Sequence, residues 1–213
     1  GGRANVIRLY SGASCLQSHR VRLALAHKGV EAEWVTVDPA APPRALLELT
    51  PYGEVPTLVD RDVCLYEPWI IIEYLDERYP HPPLLMADPV SRAKARLVAY
   101  RIERDWYSLY EQLAAARTRH RGVGKARQAL CESLTAGAEL FEAHRYLLSD
   151  EFTIMDLAVL PLLWRLPAAG VELPPQAAAM VEYAEAQFHG APFQASLTPE
   201  EQALRSAKSG GNR

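Results

Sequence analysis

Glu54-Val55-Pro56-Thr57-Leu58-Val59-Asp60-Arg61-Asp62-Val63-Cys64-Leu65-Tyr66-Glu67-Pro68 is the stretch that decides the fold. Thr57-Leu58-Val59 and Val63-Cys64-Leu65-Tyr66 are short runs of β-favouring residues around a polar turn, Asp60-Arg61-Asp62, and read as a hairpin. One proline stands just before the first strand. Another, Pro68, opens a helix predicted to run to about Arg78, at a position where a missing N–H costs nothing. Working outward, Val6-Ile7-Arg8-Leu9-Tyr10 is a strand and Ser11-Gly12-Ala13-Ser14 a loop. A helix then runs to about Lys28, with Gly29 as its C-terminal cap. Trp34-Val35-Thr36-Val37 is a second strand, and a short helix near Arg44–Glu48 follows Pro42 and Pro43. The predicted order is βαβαββα, an α/β domain over residues 1–82.

Past a linker at 83–88 the pattern is helical throughout, predicting an all-α domain over 89–208 and a disordered tail over 209–213. Asp88-Pro89 is a helix cap followed by a first-position proline. Val90, Ala93, Leu97 and Tyr100, with further apolar residues through Leu113, follow at roughly helical spacing. Further helices are predicted over about Lys125–Arg145, from Thr153, near Pro175–Phe188 and over Pro199–Ala207. Thr153 and Asp156 have the spacing of a capping box, and Thr198-Pro199-Glu200-Glu201 is a second strong helix start.

Composition narrows the function classes. A chain of 213 residues that is 49% hydrophobic and 23% charged is a soluble globular protein. Its longest apolar stretch, Leu157 to Trp164, is broken by Pro161 and falls well short of the roughly 20 residues a bilayer requires. No apolar signal core stands at residues 1–5, so a cytoplasmic location and no membrane partner are expected. A net charge of −3 gives no general attraction to nucleic acid. The basic stretch Arg117-Thr118-Arg119-His120-Arg121-Gly122-Val123-Gly124-Lys125-Ala126-Arg127 reads as a solvated interhelical loop, so any DNA contact is indirect or weak. Cys15, Cys64 and Cys131 are odd in number and lack metal-ligand spacing, which argues for free thiols and against a disulfide framework or a zinc site; no metal and no cofactor are expected.

The end of the third helix is the most unusual local feature. Tyr74-Leu75-Asp76-Glu77-Arg78-Tyr79 runs into Pro80-His81-Pro82-Pro83. Proline fixes its own φ and pushes the preceding residue out of helical space, so His81 is held between two stiff residues as a surface knob.

The βαβαββα unit, with Glu54-Val55-Pro56-Thr57 before its third strand, resembles the thioredoxin-like domain of glutathione transferases. Thr153-Ile154-Met155-Asp156 is similar to that family's capping motif in the helical half. The expected fold is therefore that of a glutathione S-transferase. The resemblance implies a cis bond before Pro56 and a glutathione site around Cys15, Val55, Pro56, Glu67 and Pro68. Within this fold the chain resembles most closely the stringent starvation protein A family, regulators associated with bacterial RNA polymerase. That resemblance is carried by Ser18-His19-Arg20-Val21-Arg22, by Glu73 through Leu84, by Arg101-Ile102-Glu103-Arg104-Asp105-Trp106-Tyr107, by Leu148 through Phe152 and Pro161 through Pro167, and by Ala195-Ser196-Leu197-Thr198. It implies a homodimer, or a heterodimer with a paralogue, without transferase activity. It also implies a surface pocket at Pro80-His81-Pro82, rimmed by Tyr79 and Pro83, that contacts the sigma factor of RNA polymerase holoenzyme.

Two positions bear on the enzymatic alternative, a glutathione S-transferase or thiol transferase using Cys15. Cys15 falls where the first loop meets the first helix, and a thiolate is favoured at a helix N-terminus. Ser18 stands where a Cys-x-x-Cys pair would have its second cysteine, which removes the glutaredoxin reading. In transferases the pair at Glu67-Pro68 ends in serine, whose hydroxyl and N–H hold the γ-glutamyl carboxylate. Proline has neither donor. Hydrogen bonds to a charged group are worth about 1.5–3 kcal/mol each, so their loss amounts to about a hundredfold in affinity. The expected glutathione site is vestigial.

Overall fold

β1 (Ile7–Ser11) runs through the middle of a four-stranded sheet ordered β2-β1-β3-β4, in the computed structural model, which describes residues 6–206. β2 (Ala32–Thr36) pairs parallel to β1, as a strand reached through a crossover helix does, while β3 (Thr57–Asp60) pairs antiparallel to it. β4 (Val63–Tyr66) closes the predicted hairpin with Thr57 opposite Tyr66. α1 (Leu16–Lys28) ends at Gly29, which takes the left-handed φ of 64° and donates to Ala26 O. Leu9 is wholly buried, whereas its neighbour Tyr10 points to the opposite face and clusters with Val37 and with Leu46 of α2 (Arg44–Leu49). α3 (Pro68–Arg78) packs on α1 and buries Ile71, Ile72 and Leu75.

The chain divides into two units. Residues 6–82 together with 191–206 form the first, and 83–190 the second. This division differs at its C-terminal end from the sequence expectation of a helical domain over 89–208. α9 (Ala191–Ser196), a short helix that no periodicity announced, packs directly on α1, and α10 (Pro199–Ser206) follows it into the first unit. Residues 83–88 do not behave as a bare tether either. Leu84 is wholly buried and its carbonyl accepts from Ile154 N at 3.0 Å. The tail expected over 209–213 lies outside the described residues.

In the second unit α4 (Pro89–Arg101) continues through a π-helical turn, Ile102–Tyr107, into α5 (Ser108–Arg119). The wider turn lets Ile102, Trp106 and Tyr107 all face inward. The stripe Val90, Ala93, Leu97 and Tyr100 is exposed, and α4 buries the small residues Ala95 and Ala99. The helix predicted over Lys125–Arg145 is shorter. α6 (Val123–Ala136) stops at Gly137, and a 3-10 turn covers Ala138–Phe141. A Cβ at position 137 would stand 2.6 Å from Trp106 Cζ2, so the indole occupies the space that a helix-forming side chain would need. α7 (Ile154–Arg165) is buried along its whole length and starts with the capping box formed by Thr153 and Asp156. α8 (Ala178–Phe188) completes the unit.

Candidate functional site

The strand register collects the expected glutathione-site residues at one end of the sheet. Tyr10 lies opposite Thr57 and Thr57 opposite Tyr66, so the chain continues past β1 into Gly12, before β3 into Val55-Pro56 and past β4 into Glu67-Pro68 at the same level. The Val55–Pro56 bond is cis. Gly12 separates Cys15 from Val55: a Cβ there would come 2.7 Å from Cys15 Cβ and 3.7 Å from Val55 Cγ2. Cys15 is half-buried and is the N-cap of α1, its sulfur accepting from Ser18 N at 3.4 Å. The Ser18 hydroxyl in turn accepts from Gly12 N at 3.1 Å. Ser18, at the place of a second cysteine, therefore fastens the loop.

The carboxylate end of the expected site falls at Glu67-Pro68. Glu67 is exposed and adopts a φ of 77°, a left-handed value that a non-glycine residue rarely takes. Pro68 is buried as the first residue of α3 and offers no N–H, and Glu67 makes no side-chain cap to the helix. The sheet end thus brings together a thiol, a cis-proline strand end and a helix start with no N–H at position 68.

The proline-rich turn has the opposite character. Pro80, His81, Pro82 and Pro83 are all exposed, and Tyr79 is half-buried beneath the Arg78 guanidinium, 5.0 Å from its ring centroid. The His81–Pro82 bond is a second cis peptide, which sequence reasoning did not anticipate. α3 ends at Arg78, where Tyr79 N still reaches Leu75 O at 2.9 Å. Lys28 was also missed. From the last turn of α1 its ammonium donates to Pro82 O at 2.6 Å and to Asp76 Oδ1 at 2.7 Å, with the lysine side chain fully buried. Nothing in sequence sets Lys28 apart from an ordinary cation closing a helix, and its partners lie 48 and 54 positions away. Beside it, burial first and the Lys28 charge second push the His27 imidazole down to about 4.

The basic stretch at 117–127 is the end of a helical hairpin, where Arg117 donates to Ala168 O at 3.0 Å. Among the described residues no group of three or more His, Cys, Asp or Glu side chains is placed to hold a metal ion. No helix among them is long and apolar enough to cross a membrane.

A thioredoxin-like sheet with a cis-proline strand end, followed by a helical unit whose α7 carries a capping box, defines the glutathione transferase fold, and comparison with known proteins agrees. Residues 9–83 match the family described as glutathione S-transferase, N-terminal domain. A Tau class glutathione S-transferase from mango superimposes with a TM-score of 0.81 over 96% of this chain and 97% of its own, at 22% identity. Closer in sequence is a stringent starvation protein A homolog of Coxiella burnetii, 42% identical over 95% of this chain and 97% of its own length. A probable maleylacetoacetate isomerase of Caenorhabditis elegans is 35% identical over 80% of this chain and 82% of its own. The chain belongs to the stringent starvation protein A family.

Proposed function

We propose that this protein is a non-enzymatic transcription regulator that binds RNA polymerase holoenzyme through its sigma factor and alters promoter use in starvation or stress. The contact centres on Tyr79, Pro80, His81, Pro82 and Pro83. The observation that carries this reading is the exposure of four consecutive residues, Pro80 to Pro83, on a turn whose carbonyl is tied down from below. Stiff, exposed prolines and one imidazole present a preformed surface, which costs a partner little ordering on binding. Family membership supports the regulatory class, and Pro68 supports the loss of glutathione chemistry. The protein acts in the cytoplasm as a homodimer, or with a paralogue as its second subunit. The exposed stripe Val90, Ala93, Leu97 and Tyr100 on α4 is the apolar face that a second copy would cover. Pro80→Ala with His81→Ala should abolish co-purification with holoenzyme while the circular dichroism spectrum and Tm stay those of the wild type. Wild-type recovery of polymerase by that double variant would overturn the assignment.

A second reading, a glutathione-dependent enzyme using Cys15, is favoured by the thiol at the α1 N-cap and by the relative named as an isomerase. Retention on glutathione resin, together with conjugation of an electrophile that disappears in Cys15→Ala, would establish it.

A further inference from the structure

We propose that Lys28, with Asp76 as its counter-charge, is a positioning residue that fastens the Pro80–Pro82 turn in its binding shape; the inference rests on that turn being the partner contact proposed above.

The turn cannot fasten itself. Pro80, Pro82 and Pro83 have no N–H, so His81 holds the segment's single backbone donor. Among the described residues the one hydrogen bond that reaches residues 80–83 is the bond from Lys28 Nζ to Pro82 O. Upstream, α3 has ended at Arg78. Downstream, the next hydrogen-bonded group is the Leu84 carbonyl, which accepts from Ile154 N.

The choice of residue is itself informative. A lysine at the end of an exposed helix normally lays its stem along the surface and keeps its ammonium in water. Lys28 turns inward, and its side chain is fully buried while Asp76 retains 17% exposure. A buried ion pair is at best a weak source of stability, since apolar residues of similar size often serve as well. Packing alone therefore does not call for an ammonium here. Its two short bonds do: the carboxylate of Asp76 neutralises it, and the second bond is directed at the carbonyl inside the Pro-His-Pro motif. The pair joins α1, α3 and the turn at one point, which leaves the His81 side chain as the free part of an otherwise fixed knob.

The test separates fastening from mere stability. Lys28→Met alone leaves Asp76 without its cation and should lower Tm. Lys28→Met with Asp76→Leu removes both charges and should restore Tm to near the wild-type value. That double variant should still bind holoenzyme about tenfold more weakly, close to the cost of fixing one backbone residue. Its His81 ring signal in 1H–13C NMR, assigned by its absence in His81→Ala, should shift or broaden relative to the wild type. Wild-type affinity in the double variant, or an unmoved His81 signal, would overturn the inference. If the wild type and the Pro80→Ala, His81→Ala variant bind holoenzyme alike, the partner reading fails, and the His81 signal alone decides whether Lys28 fastens the turn.

Discussion

Asp156 is a fully buried carboxylate that accepts from Leu147 N at 3.0 Å, from Thr153 N at 2.9 Å and from the Tyr183 hydroxyl. Three donors favour the ionised form, yet burial outweighs them and pushes its pKa up from 3.8 to about 6. Between those values the folded chain keeps a proton that the unfolded chain has released. This group's contribution to stability therefore falls as pH rises from about 4 to about 6, by on the order of 2–3 kcal/mol in all. His27 acts in the opposite sense. Held at about 4 instead of 6.5, it must stay neutral in the fold, and stability falls as pH drops from 6.5 toward 4. The two slopes oppose each other, so single variants expose what the wild type conceals. Asp156→Asn turns an amide toward three donors and should cost on the order of 1–3 kcal/mol. The Tm difference between wild type and Asp156→Asn should be largest near pH 4.5 and shrink through pH 6. For His27→Gln the trend reverses, the variant gaining relative to the wild type as pH falls. Thermal melts across pH 4.5–7.5 decide both, and a pH-independent difference would remove the assignment concerned.

Two elements of the first unit come from the far end of the sequence. α9 and α10 close over α1 through a buried set of polar side chains. Arg22, Glu201, His19 and Ser196 are each inaccessible to solvent. The Arg22 guanidinium is bound by both carboxylate oxygens of Glu201 and also donates to Ser196 O and Gly12 O. His19 Nε2 meets Ser196 Oγ at 2.9 Å, and the Thr198 hydroxyl donates to Ala13 O. The clamp thus holds the loop that carries Cys15. Glu201 also completes the α10 start, since Thr198 N donates to its carboxylate and Glu201 N donates to the Thr198 hydroxyl. Glu201→Gln leaves a buried guanidinium without its counter-charge, a change that costs about 3–5 kcal/mol. For a chain of this size, Tm falls by about 2–4 °C per kcal/mol. Replacing Arg22 and Glu201 together by leucine should recover most of that loss in urea denaturation; failure to recover any would mean that the pair's shape, not its charge balance, sustains the clamp.

At the scale of the whole molecule, legibility followed the range of the interactions. The βαβαββα order, the hairpin, the Gly29 cap and the Thr153–Asp156 box are written in neighbouring residues and were readable, as was the exposed proline turn. The long-range bonds of the clamp and the Lys28 tie join residues 48 to 185 positions apart and leave no local trace. The α4 stripe was legible as a stripe but not as to which side is covered, because an apolar face looks the same in sequence whether its own chain or another copy buries it. In one chain Val90, Leu97 and Tyr100 remain 63%, 58% and 50% exposed, while Ala95 and Ala99 supply the buried side. A soluble chain seldom leaves such a row uncovered. With a second copy as the covering partner, the wild type should sediment as a dimer in analytical ultracentrifugation. Leu97→Glu places a charge in the middle of the row without touching the buried alanines, so it should yield a folded monomer with wild-type circular dichroism. A Leu97→Glu protein that still sediments as a dimer would move the subunit contact elsewhere and leave α4 without an explanation for its apolar face.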